Sequence, residues 1–187
     1  MKLKKKQKNL LYKTIFIIGL ILMFFQVLIY RKTIIDWEIL ALICLTVGVL
    51  ISFLNYKDFN KLFNYKNRYS LFFWTFIQNT ASWGFIICSF FMFTNYYFAE
   101  RISIKETFQI VEKSSMTGRK YHRNERKPIF RIKYNNKLKD LVFSHKYYEK
   151  MDFYTEVELE VRKGYLGYDI LENIKLKEDT KPIENVW

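Results

Sequence analysis

At 187 residues the chain has room for one modest domain and a few membrane spans, which excludes a large multidomain enzyme. Half of its residues are apolar and 19% are aromatic, and its net charge of +13 would at first sight suit nucleic acid. The basic excess, however, flanks apolar segments, where topology and anionic lipid account for it, so nucleic acid is not the expected partner. Residues 1–100 hold 12 Lys/Arg against Asp36, Glu38, Asp58 and Glu100, a net of +8; residues 101–187 hold 19 against 14, a net of +5. The cysteines, Cys44 and Cys88, lie in apolar runs, where a free thiol acts as a small hydrophobe. The polar C-terminal region has none, which excludes a disulfide framework or a thiolate zinc site there.

LLYKTIFIIGLILMFFQVLIY, residues 10–30, matches a hydrocarbon core about 30 Å thick at about 1.5 Å per residue. It is too long for a signal-peptide core, and no small-x-small cleavage site follows, so it reads as an uncleaved anchor. WEILALICLTVGVLISFLNY, 37–56, carries Trp37 and Tyr56 at its ends, where amphipathic rings favour the interface. A third run, 70–99, would be about 45 Å of helix. The reading adopted puts LFFWTFIQN (71–79) partly at headgroup level, with a span of about 74–98 and Gln78 and Asn79 near its boundary.

The N-terminus carries Lys2, Lys4, Lys5, Lys6, Lys8 and Lys13, and the second loop carries Lys57, Lys61, Lys66 and Arg68. The first loop has only Arg31 and Lys32, offset by Asp36 and Glu38. The positive-inside rule then predicts a cytoplasmic N-terminus and, after three spans, an extracytoplasmic C-terminal domain in a multi-pass bacterial inner-membrane protein.

Small residues repeat at four-residue spacing in the second and third runs: Cys44, Gly48 and Ser52, then Thr80, Gly84 and Cys88. That spacing keeps them on one helix face, so the two spans are expected to pack through these stripes. Gln78, Asn79 and Ser82 could instead line a path for ions. With no titratable residue in spans two or three apart from Glu38 at an entrance, packing is the preferred reading.

Beyond Glu100, alternating patterns predict five strands: 102–111, 128–134, 137–145, 155–161 and 165–171, with a helical turn in HKYYEKM. Asn135-Asn136 suits a tight hairpin. The expected fold is membrane α + β: a transmembrane region (1–100), then a small five-stranded antiparallel barrel or sandwich of OB or SH3 type (101–176), then a polar tail (177–187).

Glu156, Glu158 and Glu160 fall on one strand face, about 7 Å apart in sequence, where Arg131, Lys133, Lys137 or Lys139 would meet them across strands. His122 and His145 lack zinc-site spacing. GxSxG, HExxH, P-loop and GxGxxG motifs are absent, and Gly164 and Gly167 read as turn glycines. No enzyme, metal or cofactor is expected. The candidate binding segment is the basic loop after the first strand, with Arg119, Lys120, Tyr121, His122, Arg123, Arg126 and Lys127.

The function expected is a non-enzymatic membrane anchor for a partner-binding β domain, an accessory or immunity-type protein touching membrane lipids and a protein partner or its own copies. The alternative is a membrane-tethered sensor or defence effector whose cytoplasmic domain binds an anionic or nucleotide ligand through 119–127. A transport path through Gln78 is the third reading.

Overall fold

The computed structural model describes residues 4–118 and 125–178. It divides into a helical unit, Met1–Glu100 with Lys163–Ile170, and a sheet unit, Arg101–Arg162 with Leu171–Trp187.

In the helical unit α1 spans Lys5–Lys32, α2 Trp37–Phe63 and α3 Arg68–Tyr97, each long and apolar enough to cross a membrane. Helix α3 is α-helical over Arg68–Asn79 and Phe85–Tyr97, with a π-helical turn at Thr80–Gly84. Asn64, at φ 51°, ends α2 in the left-handed conformation that asparagine tolerates, and the Asn67 side chain caps α3 by accepting from the Tyr69 amide.

The helices are in register as antiparallel neighbours. Asn79 meets Ser52 and Asn55, Gly84 meets Cys44, and Cys88 donates to the Leu40 carbonyl, so α2 and α3 run in opposite directions. On α1, Tyr12 accepts from Gln78 and Gln26 bonds Cys88 and Ser89. By this register Tyr56 stands level with about residue 74 of α3. Gln78 and Asn79 therefore sit about one turn, roughly 6 Å, inside that level. A Lys8–Asp58 pair at 2.9 Å ties α1 to α2 beyond it.

At the other end of the bundle an apolar cluster of Ile29, Ile35, Leu40, Cys88 and Met92 closes the core. Here the segment 163–170 docks. The fully buried Asn95 accepts at Oδ1 from the amides of Leu166 (3.0 Å) and Tyr168 (3.4 Å) and donates to the Tyr168 carbonyl (2.9 Å). Its own carbonyl accepts from Tyr165, and Ile34 donates to Asp169 at 2.8 Å. A Cβ on Gly164 would collide with the Tyr168 carbonyl and the Asn95 amide; Gly167 has φ +87°. Close approach requires the first glycine and backbone conformation the second.

The sheet unit is five-stranded and open, in the order β3-β2-β1-β4-β5. Its strands are β1 (Ser103–Met116), β2 (Lys127–Tyr134), β3 (Lys137–Val142), β4 (Tyr154–Arg162) and β5 (Ile170–Glu178). Strand β1 changes partner midway. Ser103–Gln109 pairs with β4, and Ile110–Met116 pairs with β2, with an irregularity between Ile110 and Glu112 that leaves Val111 exposed. Such a bulge bends the strand and turns the sheet. Asn135 and Asn136, both at positive φ, form the β2–β3 hairpin, and single 3₁₀ turns at His145–Tyr147 and Met151–Phe153 lead into β4. Phe130, Ile132, Val157 and Leu159 are fully buried on one face. Phe130, Phe143, Tyr147 and Tyr154 pack edge to face around its end at 5.3–6.1 Å.

Two expectations are corrected. The sheet does not close into a barrel: β3 and β5 remain at opposite edges. The last strand is not 165–171 but Ile170–Glu178, because the two glycines and the Asn95 contacts fold 163–169 into a turn on the helical unit.

Replacing Asn95 with Leu keeps the bulk but leaves two amides and a carbonyl without their partner, a cost of about 1–3 kcal/mol per buried group. Hydrogen exchange at Leu166 and Tyr168 should accelerate and the melting temperature in detergent should fall. Unchanged protection at both amides would remove Asn95 as the anchor of this segment.

Candidate functional site

Three groups of side chains were candidates for chemistry or assembly: the helix-packing stripe, the polar residues inside the bundle, and the charged sheet face with its basic loop.

The stripe residues meet across α2 and α3. A Cβ on Gly48 would overlap the Thr80 side chain, and one on Gly84 would lie 2.7 Å from the Cys44 carbonyl and 3.3 Å from its Cα. Ser52 donates to the Gly48 carbonyl at 2.6 Å and accepts from Asn79 at 3.2 Å. Cys44 donates to the Gly84 carbonyl at 3.6 Å. Helix α1 joins the same place: a Cβ on Gly19 would run into the carbonyls of Ala81 and Ser82. Three backbones thus converge on the π turn. Thr80 Oγ1, pressed against Gly48, has no hydrogen-bond partner among the described residues.

Sequence reasoning missed Gly19, Gln26 and Asn95. Each had a signal, a lone small or amide residue within an otherwise apolar helical run. Gln26 is buried and bridges two residues of α3, with its Nε2 3.1 Å from Cys88 Sγ and its Oε1 accepting from Ser89 at 3.0 Å. Gln78 donates to the Tyr12 carbonyl and to Ser82, both at 3.4 Å. These amides are occupied with neighbouring helices.

On the sheet, Glu156, Glu158 and Glu160 project to one side of β4, but their partners differ from those expected. Glu158 binds Lys177 at 2.9 Å; Glu160 lies 3.9 Å from Lys105 and accepts from Asn173 at 2.7 Å. The reason is strand order: β4 neighbours β1 and β5, not β2 or β3. Arg131 on β2 grips Asp140 with two nitrogens, at 2.6 and 3.2 Å, and also pairs with Glu112. Among the described residues no group of three His, Cys, Asp or Glu could hold a metal ion.

Of the basic loop, Arg119, Lys120, Tyr121, His122 and Arg123 lie outside the described residues. Arg126 donates to the Tyr148 hydroxyl at 3.3 Å, and Lys127 opens β2. The neighbouring Glu125 carboxylate lies 3.8 Å from His145 Nδ1.

No family model, curated protein or solved structure matches the chain. Its function is argued from its own residues.

Two outcomes follow. Gly84→Leu forces side-chain atoms into the Cys44 backbone and should destabilise the bundle by at least the 1–3 kcal/mol typical of overpacking, read as a lower melting temperature in mild detergent. An unaltered melting temperature would show that α2 and α3 do not touch there. On the sheet, the Lys177 ammonium holds the Glu158 carboxyl below its ordinary range. The folded state therefore binds its proton less readily than the unfolded chain. The pair's stabilisation is fully present above the unfolded value, about 4.3, and disappears as pH falls through the lower folded one. Melting temperatures of the native protein and Glu158→Gln should differ at neutral pH and converge in acid; a constant gap would contradict the pairing.

Proposed function

We propose that the protein is an integral membrane protein without enzymatic activity, whose three-helix bundle anchors a small extracytoplasmic β unit that binds a protein partner, in an accessory or immunity-type role. One observation carries the reading: the side-chain amides of Gln26, Gln78 and Asn79 inside the bundle bond to neighbouring helices instead of lining a path. Gln26, Gln78, Asn79 and Ser89 all have partners on the helices, and Asn95 holds 163–170. A polar group in hydrocarbon is costly unless paired, and pairs of this kind fasten helices together. This favours an anchor over a transport path through Gln78.

Orientation is argued from charge. The helix ends joined by the Lys8–Asp58 pair carry the N-terminal lysines and the basic 56–70 loop, and the opposite end carries Arg31, Lys32, Asp36 and Glu38. Basic residues are retained on the cytoplasmic side, which supports an extracytoplasmic position for the chain beyond Glu100. There the open sheet offers two edges, β3 and, beyond the Thr33–Ile170 bridge, β5, that pair with no further strand among the described residues and are of the kind that add a partner strand.

The second reading keeps the architecture and inverts it. The run of Arg119, Lys120, Arg123, Arg126 and Lys127 is a basic cluster of the kind retained in the cytoplasm, where it would take an anionic or nucleotide ligand.

A reporter active only outside the cytoplasm, fused after Trp187, is expected to be active, and a reporter that fluoresces only in the cytoplasm is expected to be dark. The reverse pattern would overturn the anchor reading in favour of the sensor.

A further inference from the structure

We propose that the groove between the Lys32 end of α1 and the Tyr97 end of α3 binds one acyl chain of an anionic phospholipid, with the lipid phosphate at Lys32. The groove is open along one side, has a volume of about 360 Å³ and is lined by Phe25, Leu28, Ile29, Phe93, Tyr96 and Tyr97 together with Lys32. Its wall on α1 runs from Phe25 to Lys32, about 10 Å along the helix axis, or a third of a hydrocarbon core of about 30 Å. The volume lies at the lower end of small-molecule sites, about 300–1,000 Å³, and suits a segment of one chain better than a headgroup.

The chemistry changes along the groove in the order that a phospholipid requires. Phe25 and Leu28 are half-exposed apolar side chains at its deep end, and the rings of Phe93 and Tyr97 stand edge to face at 6.2 Å along the opposite wall. Tyr96 and Tyr97, whose rings stand edge to face at 5.4 Å, line the groove together with Lys32, and amphipathic rings of this kind favour the membrane interface. Arg31 and Lys32 form the last turn of α1, and neither makes an ion pair among the described residues. An unpaired Lys32 lining an apolar slot, with Arg31 in the same helical turn, selects a negative headgroup over a zwitterionic one, because the attraction to anionic lipid adds about 1 kcal/mol per basic residue.

The site depends on the helices lying in lipid and not on which side the β unit faces, so its failure and a failed topology are separate results. The full-length protein in mild detergent is titrated with phosphatidylglycerol, and separately with phosphatidylcholine of the same chains, and bound lipid is counted by native mass spectrometry. Phosphatidylglycerol should bind several-fold tighter. Lys32→Gln should weaken it about fivefold, the equivalent of about 1 kcal/mol, and leave phosphatidylcholine unchanged, while Lys32→Arg retains the preference. Leu28→Trp, which fills the slot, should weaken both lipids. Positions 28 and 32 are exposed, so the variants fold. Equal binding of the two lipids, an unaltered affinity in Lys32→Gln, or a protein dimer that Leu28→Trp abolishes in place of lipid binding would each overturn the proposal.

Discussion

The close approach of three helix backbones around the π turn Thr80–Gly84 is the constraint on which the helical unit depends. Gly19, Gly48 and Gly84 are the places where a Cβ would meet backbone or the Thr80 side chain of another helix. Hydrocarbon offers no hydrophobic drive for one apolar helix to prefer another over lipid, so contact must come from tight packing and from polar bonds across helices. The chain supplies both in the same place. The glycines bring the backbones together, and that closeness puts Gln26 within reach of Cys88 and Ser89, and Asn79 within reach of Ser52. A π turn is wider than an α turn and resets the face that the following residues present. Cys88, Ser89, Met92 and Asn95, after the turn, are all buried.

Asn95 extends this logic to the end of the bundle. An asparagine amide has an oxygen with two lone pairs and a nitrogen that donates, which match two amides and a carbonyl of a folded-back chain. It therefore holds 163–170, a segment flanked in sequence by β4 and β5, on the helical unit. The chain crosses between the two units at 100–101, 162–163 and 170–171 instead of once.

Much of this was legible in the residues. Run length and flanking charge marked the three helices, and four-residue spacing picked out the side chains that meet between α2 and α3. Alternation located the first four strands, and Asn135-Asn136 marked a hairpin with both residues at positive φ. What could not be read depends on distant partners. YLGYDIL has the apolar pattern of a strand, yet most of it is a turn because Asn95, about 70 residues earlier, captures its backbone. A barrel was expected from strand number, but closure depends on where β1 bends, and the change of partner after Gln109 leaves no local pattern. The glutamates of β4 were placed on one face by their period of two. Their partners followed from strand order, which alternation does not encode. Gly19 and Gln26 were visible as exceptions in an apolar run, but nothing local distinguished a packing exception from a tolerated one.

The way the bundle uses its polar groups also bears on where function can reside. The amides of Gln26, Gln78, Asn79 and Asn95 are each committed to a neighbour, and moving one would leave a buried group unpaired at a cost of about 1–3 kcal/mol. A path that opened through Gln78 or Asn79 would break bonds to Tyr12, Ser82 and Ser52 without a charged group in the interior to carry the load. Titratable side chains instead gather at the helix ends and over the sheet, where water screens them and a partner can reach them. On the outward face of the sheet many charges already answer one another, as Glu158 does Lys177 and Arg131 does Asp140. Arg31 and Lys32, at the end of α1 beside an apolar slot, make no ion pair among the described residues. Such a division, with a committed interior and charged chemistry at the rim, fits the proposed role of an anchor that meets lipid and a partner.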